Sequence, residues 1–455
     1  MHNSPSTIHN SLFWTAMNAQ LVEQISNLRF PAHLPESLLE IEQDFPAPRL
    51  DDIPTAVRAA LAGSKPMQRI RPGMRVAVGA GSRGITNLPV IVRTVVEEIR
   101  AAGADPFVFP AMGSHGGATA PGQIEMLASL GVTPASVGAE ILATMEVKLI
   151  GQLPDGPPLY QDANAAAADA TFLVNRIKPH TDFHGPIESG LAKMAVIGMG
   201  KDTGAQAIHL YGGRGFIRFL APAARIYAAN TNLVGGLALL ENAFGETAEM
   251  HALDVTEIGA APETALLEKA RSLMPRLPFA AIDILVIKEI GKNFSGTGMD
   301  TNVVGRIMIP RTPETHQPDV AVIAVLNISE ESHGNAAGIG LGNVTTLRAV
   351  NRIDWTATYT NSVTSGIFGM QRVGIPITMA DDRRALEVAL RCCGEPPEQA
   401  RWVWINNTSK LRRLWVSPNL RAAVAANPHL RLVAETPLQF DAQGRLLSPW
   451  AMPEE

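Results

Sequence analysis

At 455 residues, with 46% hydrophobic and 18% charged positions, the chain is long enough for two or three domains and has the composition of an ordinary soluble globular protein. A formal net charge of −5, with nothing more basic than Lys410-Leu411-Arg412-Arg413, argues against a nucleic-acid partner, whose electrostatic footprint is a basic stripe. The start MHNSPSTIHNSLFW has no basic region leading into an apolar run, no stretch approaches ~18 consecutive apolar residues, and Cys392 and Cys393 are adjacent, so we expect no signal peptide, no membrane span and a reducing, cytoplasmic setting.

Residues 1 to 70 are broken up by Pro31, Pro35, Pro46, Pro48 and Pro54 and read as a lead-in draped over the first domain, with a short helix from Ile53 to Leu61. Arg75 to Val78 is a strand. GAGSRGITN, residues 79 to 87, is a glycine-rich turn before the amphipathic helix from Leu88 to Ala102. The turn is friendly to anions, through its backbone amides and Arg83. Gly79, Gly81 and Gly84 match the dinucleotide fingerprint, but no acidic residue closes the next strand. A strand from Pro106 to Pro110 leads to a second glycine-rich turn, MGSHGG, which carries His115, and to a helix near Pro121. Gln161 to Ala168 reads as a helix.

The next stretch, Leu173 to Gly213, packs three histidines, three lysines and seven glycines into an otherwise weakly charged chain. It follows an apolar run of strand type, Ala170 to Val174, where open α/β sheets place their chemistry. Arg176, Lys178, His180, His184 and Glu188 come first. Lys193 then stands among small apolar neighbours, where desolvation favours the neutral, nucleophilic amine.

Beyond it we expect a helix from Gly215 to Ala229, a strand from Leu233 to Glu241 and a helix from Pro262 to Leu273. Arg276-Leu277-Pro278 is the expected linker. The second half reads as strands at Ile282 to Ile287, Val320 to Leu326, Ile375 to Met379 and Trp402 to Ile405. Helices are expected near Val344 to Val350, Trp355 to Phe368 and Asp381 to Cys393. The fold class is therefore α/β, with two domains, each a layered sheet with helices on both faces, and an active site in the inter-domain cleft. The domains are placed at 1–277 and 278–427, with a tail, 428–455, packing back on the first.

With these residues placed, the chain resembles the nickel-dependent lactate racemase family, through roughly residues 46 to 275 and more faintly to about 450. In that family a glycine-rich turn supplies an arginine, matched by Arg83 in GSRG. A second turn supplies a catalytic histidine, matched by His115 in MGSHGG. A Pro-His pair supplies the second catalytic histidine, matched by Pro179-His180, with His184 as its rival. The tethering lysine and the nickel-binding histidine are matched by Lys193 and His209, sixteen positions apart. The chain departs from the pattern at Ala80, where the racemase has an aspartate. Its loop KEIGKNFSGTGMD also lacks the racemase's glutamine, with Lys292 as a stand-in for its lysine.

The resemblance implies a racemase or epimerase of a 2-hydroxy acid other than lactate. Its cofactor would be a nickel-pincer nucleotide, pyridinium-3-thioamide-5-thiocarboxylic acid mononucleotide with nickel. His115 and His180 would be catalytic, since a planar ketoacid reached by hydride removal needs a base on each face. Lys193, Ser82 and Lys201 would bind the cofactor, Arg83 and Lys292 the substrate, and His209 the metal. Asp300 and His333 are lesser candidates. Implied partners are the small hydroxy acid, the cofactor-building enzymes and a second copy of the chain. The rival readings are a hydroxyacid enzyme with a diffusible nicotinamide or divalent metal, and a carboxylate-binding relative without turnover.

Overall fold

The computed structural model describes residues 19 to 449 apart from Arg83. It divides into two compact units, one of Pro46–Pro275 and one combining the segment up to Phe45 with the chain from Arg276 onward. Both are α/β sheets covered by helices on two faces.

In the unit Pro46–Pro275, five strands lie in the order Asp105–Pro110, Arg75–Ala80, Ala170–Arg176, Leu233–Glu241, Thr247–Asp254. The first four are parallel and the last is antiparallel. The central strand Ala170–Arg176 is apolar because both faces are covered. Phe172 and Val174 join the core under the helices Ile53–Leu61 and Leu88–Ala101. The Leu173 side chain lies against Gly79, where a Cβ would stand 2.7 Å from its Cδ2. The expected helix from Gln161 to Ala168 is instead the end of a strand, Pro158–Asp162, followed by a helix, Ala163–Ala167. Asp162 divides them, because its carboxylate accepts the Ala165 amide as an N-cap.

The other unit is an eight-stranded sheet whose parallel strands include Ala281–Ile287, Asp319–Val325, Val344–Thr346, Ile377–Met379 and Trp402–Ile405. Side chains alternate between two cores, with Leu285, Ile287 and Val403 on one face and Ile284, Val286, Trp402 and Trp404 on the other. Val344–Thr346 is a strand followed by a helix, Leu347–Asn351, rather than one helix, since β-branched Val344, Thr345 and Thr346 favour the strand.

Two expectations about domain membership differ from the structure. The described part of the segment before residue 45 belongs to the unit that continues from Arg276, not to the one that follows it in sequence. Its strand Ser37–Gln43 pairs with Arg413–Val416 on one side and Leu430–Pro437 on the other. In the tail, the strand Leu430–Pro437 likewise belongs to this sheet and closes its edge. Strand pairing satisfies backbone groups that draping would leave to water. Among the described residues, no helix is long and apolar enough to cross a membrane.

Candidate active site

The parallel strands Asp105–Pro110, Arg75–Ala80 and Ala170–Arg176 end side by side, with Ala80 opposite both Pro110 and Val174. Their following turns therefore emerge at one rim, at the carboxyl ends of the strands. Ser82 on the first turn is hydrogen-bonded to Nδ1 of His115 on the second. Arg83 lies outside the described residues. The second turn is bonded to the segment after Lys193, where the Gly113 amide donates to Gly198 O at 3.1 Å. A Cβ at Gly198 would sit 2.5 Å from Ala111 O, so only glycine allows this approach.

The third loop runs from Ile177 to Ser189 and is organised by Glu188, whose side chain is fully buried. Glu188 accepts from the amides of His180 and Gly185, both at 2.8 Å, from Arg271, and from His184 Nδ1 at 3.2 Å. Burial by itself would raise this carboxyl. Hydrogen bonds from His184 and the His180 and Gly185 amides, with the charge of Arg271, hold it below the usual range instead. Lys178 donates its amide to Ser189 Oγ, and Asn175 its side chain to Gly190 O, which closes the loop on itself.

Two histidines of this loop thus have different surroundings. The ring of His184 is engaged by Glu188. The ring of His180 stacks on Phe183, centroids 4.5 Å apart. The Asp182 amide donates to its Nδ1 at 3.1 Å, and the Asp182 carboxylate stands 3.7 Å from the same nitrogen.

Phe183 stacks in turn on Phe216, at 5.1 Å, and the Lys193 ammonium lies over both rings, 5.6 and 5.4 Å from their centroids. His209 meets the same Phe216 edge-on at 5.0 Å. An unbroken helix would set residues 193 and 209 about 24 Å apart and nearly on opposite faces. The chain prevents that. The helix Gly190–Lys193 gives way to a π-turn, Met194–Gly198, and a new helix, Lys201–His209, begins from Lys201 at φ 52°.

One ring nitrogen of His209 is already engaged. Its Nδ1 donates to the Ala205 carbonyl at 2.5 Å, which leaves Nε2 as the nitrogen with the lone pair. Burial holds the imidazole below the ordinary histidine range, the charge of Lys193 adds to this, and Asp182 opposes it. The ring is thus neutral at lower pH than a free histidine. Among the described residues, no three His, Cys, Asp or Glu side chains gather as a metal-holding group, so a metal at His209 would draw its remaining ligands from a bound group.

Lys201 is placed differently from the cofactor contact expected of it. It is fully buried, and its ammonium donates to Pro110 O at 2.5 Å and Gln123 Oε1 at 2.9 Å and pairs with Asp162 at 2.9 Å. Three partners within the protein account for its three protons. Gln123 passes this on, donating to the carbonyls of Gly113 and His115. Lys292 belongs to the other unit, where its ammonium donates to Gly296 O and Asn361 Oδ1. Asp300 there caps the helix Thr301–Val304, and His333 ends a 3₁₀ turn at φ 47°.

No family model matches the chain, and no curated protein does. Solved structures do. The lactate racemase apoprotein from Thermoanaerobacterium thermosaccharolyticum covers 82% of this chain and 99% of its own, at TM-score 0.50 and 14% identity. The fold is similar to that of a lactate racemase. A Thermotoga maritima protein aligns over 80% of this chain and 99% of its own, at TM-score 0.48 and 12% identity.

Whether a lysine-tethered nickel group suits these residues is decided by the donor set. An amine over two aromatic faces and an imidazole with its second nitrogen already bonded stand against one ring, and these are the donor types such a group would use, the amine for the tether and the imidazole for the metal. The residues fit. Sequence reasoning missed Phe183 and Phe216, which join the candidates to one another. The signals were an aromatic between His180 and His184, and another seven positions after His209.

Proposed function

We propose that the protein is a racemase or epimerase of a 2-hydroxy acid, using a lysine-tethered nickel-pincer pyridinium nucleotide. Lys193 is the tether, His209 the nickel ligand, and His115 and His180 the two bases. What supports this reading above all is the meeting of the Lys193 amine and the His209 imidazole at Phe216, with His180 in the same aromatic stack. The likeness in fold to a lactate racemase agrees with it.

The α-hydrogen of a 2-hydroxy acid is barely acidic while the carboxylate is ionised. Its departure as hydride, with the hydroxyl proton passing to a base, gives a planar ketoacid open to attack from either face. When bound, the pincer group supplies the acceptor and donor of that hydride. Everything else falls to the chain. His115 exchanges the hydroxyl proton on one face, and the Ser82 hydroxyl, able to donate or accept, keeps its bond to Nδ1 in either state. His180 does so on the other face, with the Asp182 carboxylate beside it to balance an arriving charge. Stacking on Phe183 fixes the plane of its ring. Arg83 is assigned to the substrate carboxylate, for which a cation is suited. A cytoplasmic setting, with Cys392 and Cys393 both unbridged, completes the reading.

The test is to produce the protein together with the pincer-building enzymes, then measure nickel, the mass of the Lys193 peptide and stereochemical exchange over a panel of chiral 2-hydroxy acids. Nickel in near-equal ratio, an adduct on Lys193 and racemisation of one acid are expected. Turnover that needs NAD(H) without an adduct would replace the reading by the nicotinamide one. Binding without exchange would reduce the protein to a carboxylate binder. His209→Ala is expected to lose nickel first, and retained metal would move the ligand elsewhere.

A further inference from the structure

The helix Gly190–Lys193 has no side-chain cap of its own, since Ser189 makes no capping bond. The amides of its first turn need an acceptor. One comes from the helix Ala261–Leu273, where Glu263 is 1% exposed. Its Oε1 accepts the Ala192 amide at 3.1 Å, its Oε2 accepts the Gly259 amide at 2.7 Å, and the Leu191 amide is also directed to it. Gly190, at φ 77°, lies so close that a Cβ would stand 2.4 Å from Glu263 Oε1.

We propose that Glu263 is a positioning residue for Lys193, its buried carboxyl clamping the turn that carries the amine to the rings of Phe183 and Phe216. The clamped amides belong to Leu191 and Ala192, the two residues that directly precede Lys193. A shift at Leu191 and Ala192 is therefore carried directly to residue 193. Glu263 is buried, at 1% exposed, and has no place in the proton transfers described above. The proposal deepens the reading of Lys193 as a tether and rests on it for its purpose. The placement of the amine, however, is measurable without any cofactor.

The carboxyl also gives the clamp a pH signature. Burial pushes it up to about 7, against the pull of the Gly259, Ala192 and Leu191 amides. The charged groups on the elements packed around it are Lys193 on the clamped helix, Glu257 before Gly259, Glu268, Lys269 and Arg271 on its own helix, Glu241 on the strand Leu233–Glu241, and Glu188 on the loop bonded to Arg271. None of them appears among the influences on its charge. The ionised carboxylate is the stronger acceptor of amide protons. The clamp accordingly tightens as pH rises through about 7.

The experiment is competitive acetylation of the cofactor-free protein with acetic anhydride, read lysine by lysine by peptide mass spectrometry, with exposed Lys65 and Lys148 as internal references. Glu263→Ala is expected to raise the relative rate at Lys193 roughly fivefold, the equivalent of one lost hydrogen bond. Glu263→Gln, which keeps one acceptor oxygen, should stay nearer the wild type. Should the alanine variant fail to fold, the pH profile decides. The wild-type rate at Lys193, relative to the references, should fall through a step near pH 7 that Glu263→Gln lacks. A Lys193 rate unchanged in the alanine variant, or the same step in the glutamine variant, overturns the proposal. Failure of wild-type protein to take up the pincer group would overturn the functional reading and leave this one standing.

Discussion

Lys193 and His209, sixteen residues apart in sequence, contact the same ring: the ammonium lies 5.4 Å from the centroid of Phe216 and the imidazole meets it edge-on at 5.0 Å. The break between their helices makes this meeting, and Phe216, buried one turn into the helix Gly212–Asn230, holds it.

Phe216→Ala should accordingly damage both neighbours at once. A stability loss of about 3–5 kcal/mol is expected for a buried phenylalanine, read from the denaturant midpoint. Nickel retention and adduct formation on Lys193 should fall together. Phe219→Ala, which removes an equally buried ring that packs on Tyr211, should cost similar stability and spare both. If Phe216→Ala keeps metal and adduct, the shared ring has no role in joining them.

The two loop histidines should separate cleanly. His180→Ala is expected to abolish racemisation while the Lys193 adduct still forms. His184→Ala removes one of four donors to Glu188 and should cost about 1 kcal/mol, with most activity kept. Side-by-side kinetics on loaded protein check this, and the reverse ranking would make His184 the second base.

Glu188 should confer acid sensitivity. Its carboxyl is held below its ordinary value of 4.5 in the folded protein, so the unfolded chain binds its proton first as pH falls. The sign follows: its contribution to stability is present above about 4.5 and is lost as pH drops through the depressed folded value. Urea midpoints measured from pH 6 down to about 3 should show this loss in the wild type and much less of it in Glu188→Gln. A variant with the same acid limb would assign that limb to other carboxylates.

Lys201→Met leaves Asp162 charged and buried, and breaking such a pair costs roughly 3–5 kcal/mol. Adding Asp162→Asn should recover much of it. In that double variant the Lys193 adduct is expected to form normally, because Lys201 spends its protons on Pro110, Gln123 and Asp162. Loss of cofactor uptake from a stable double variant would return Lys201 to the cofactor contacts.

Much of the local structure was legible. The strand Leu233–Glu241 and the helix Ile53–Leu61 match their expected limits, because apolar periodicity and proline starts are short-range signals. Ser37–Gln43 was not recognised. Glu40 and Glu42 interrupt its apolar residues, and their charges are balanced by Arg413 and Arg431, which arrive from the far end of the chain. Leu430–Pro437 was missed as a strand for the same reason, since its partner lies nearly four hundred residues away.

The sequence by itself determined which chemistry is on offer: imidazoles at 115, 180, 184 and 209, an amine at 193, and glycine turns after apolar strands to present them. Those are properties of residue type and short spacing. Only the tertiary structure decided which of these groups share a ring, which histidine is engaged by Glu188, and that Lys201 is sealed in an ion pair. Such distinctions depend on contacts between segments distant in the chain, where burial and competing partners set what each side chain can still do.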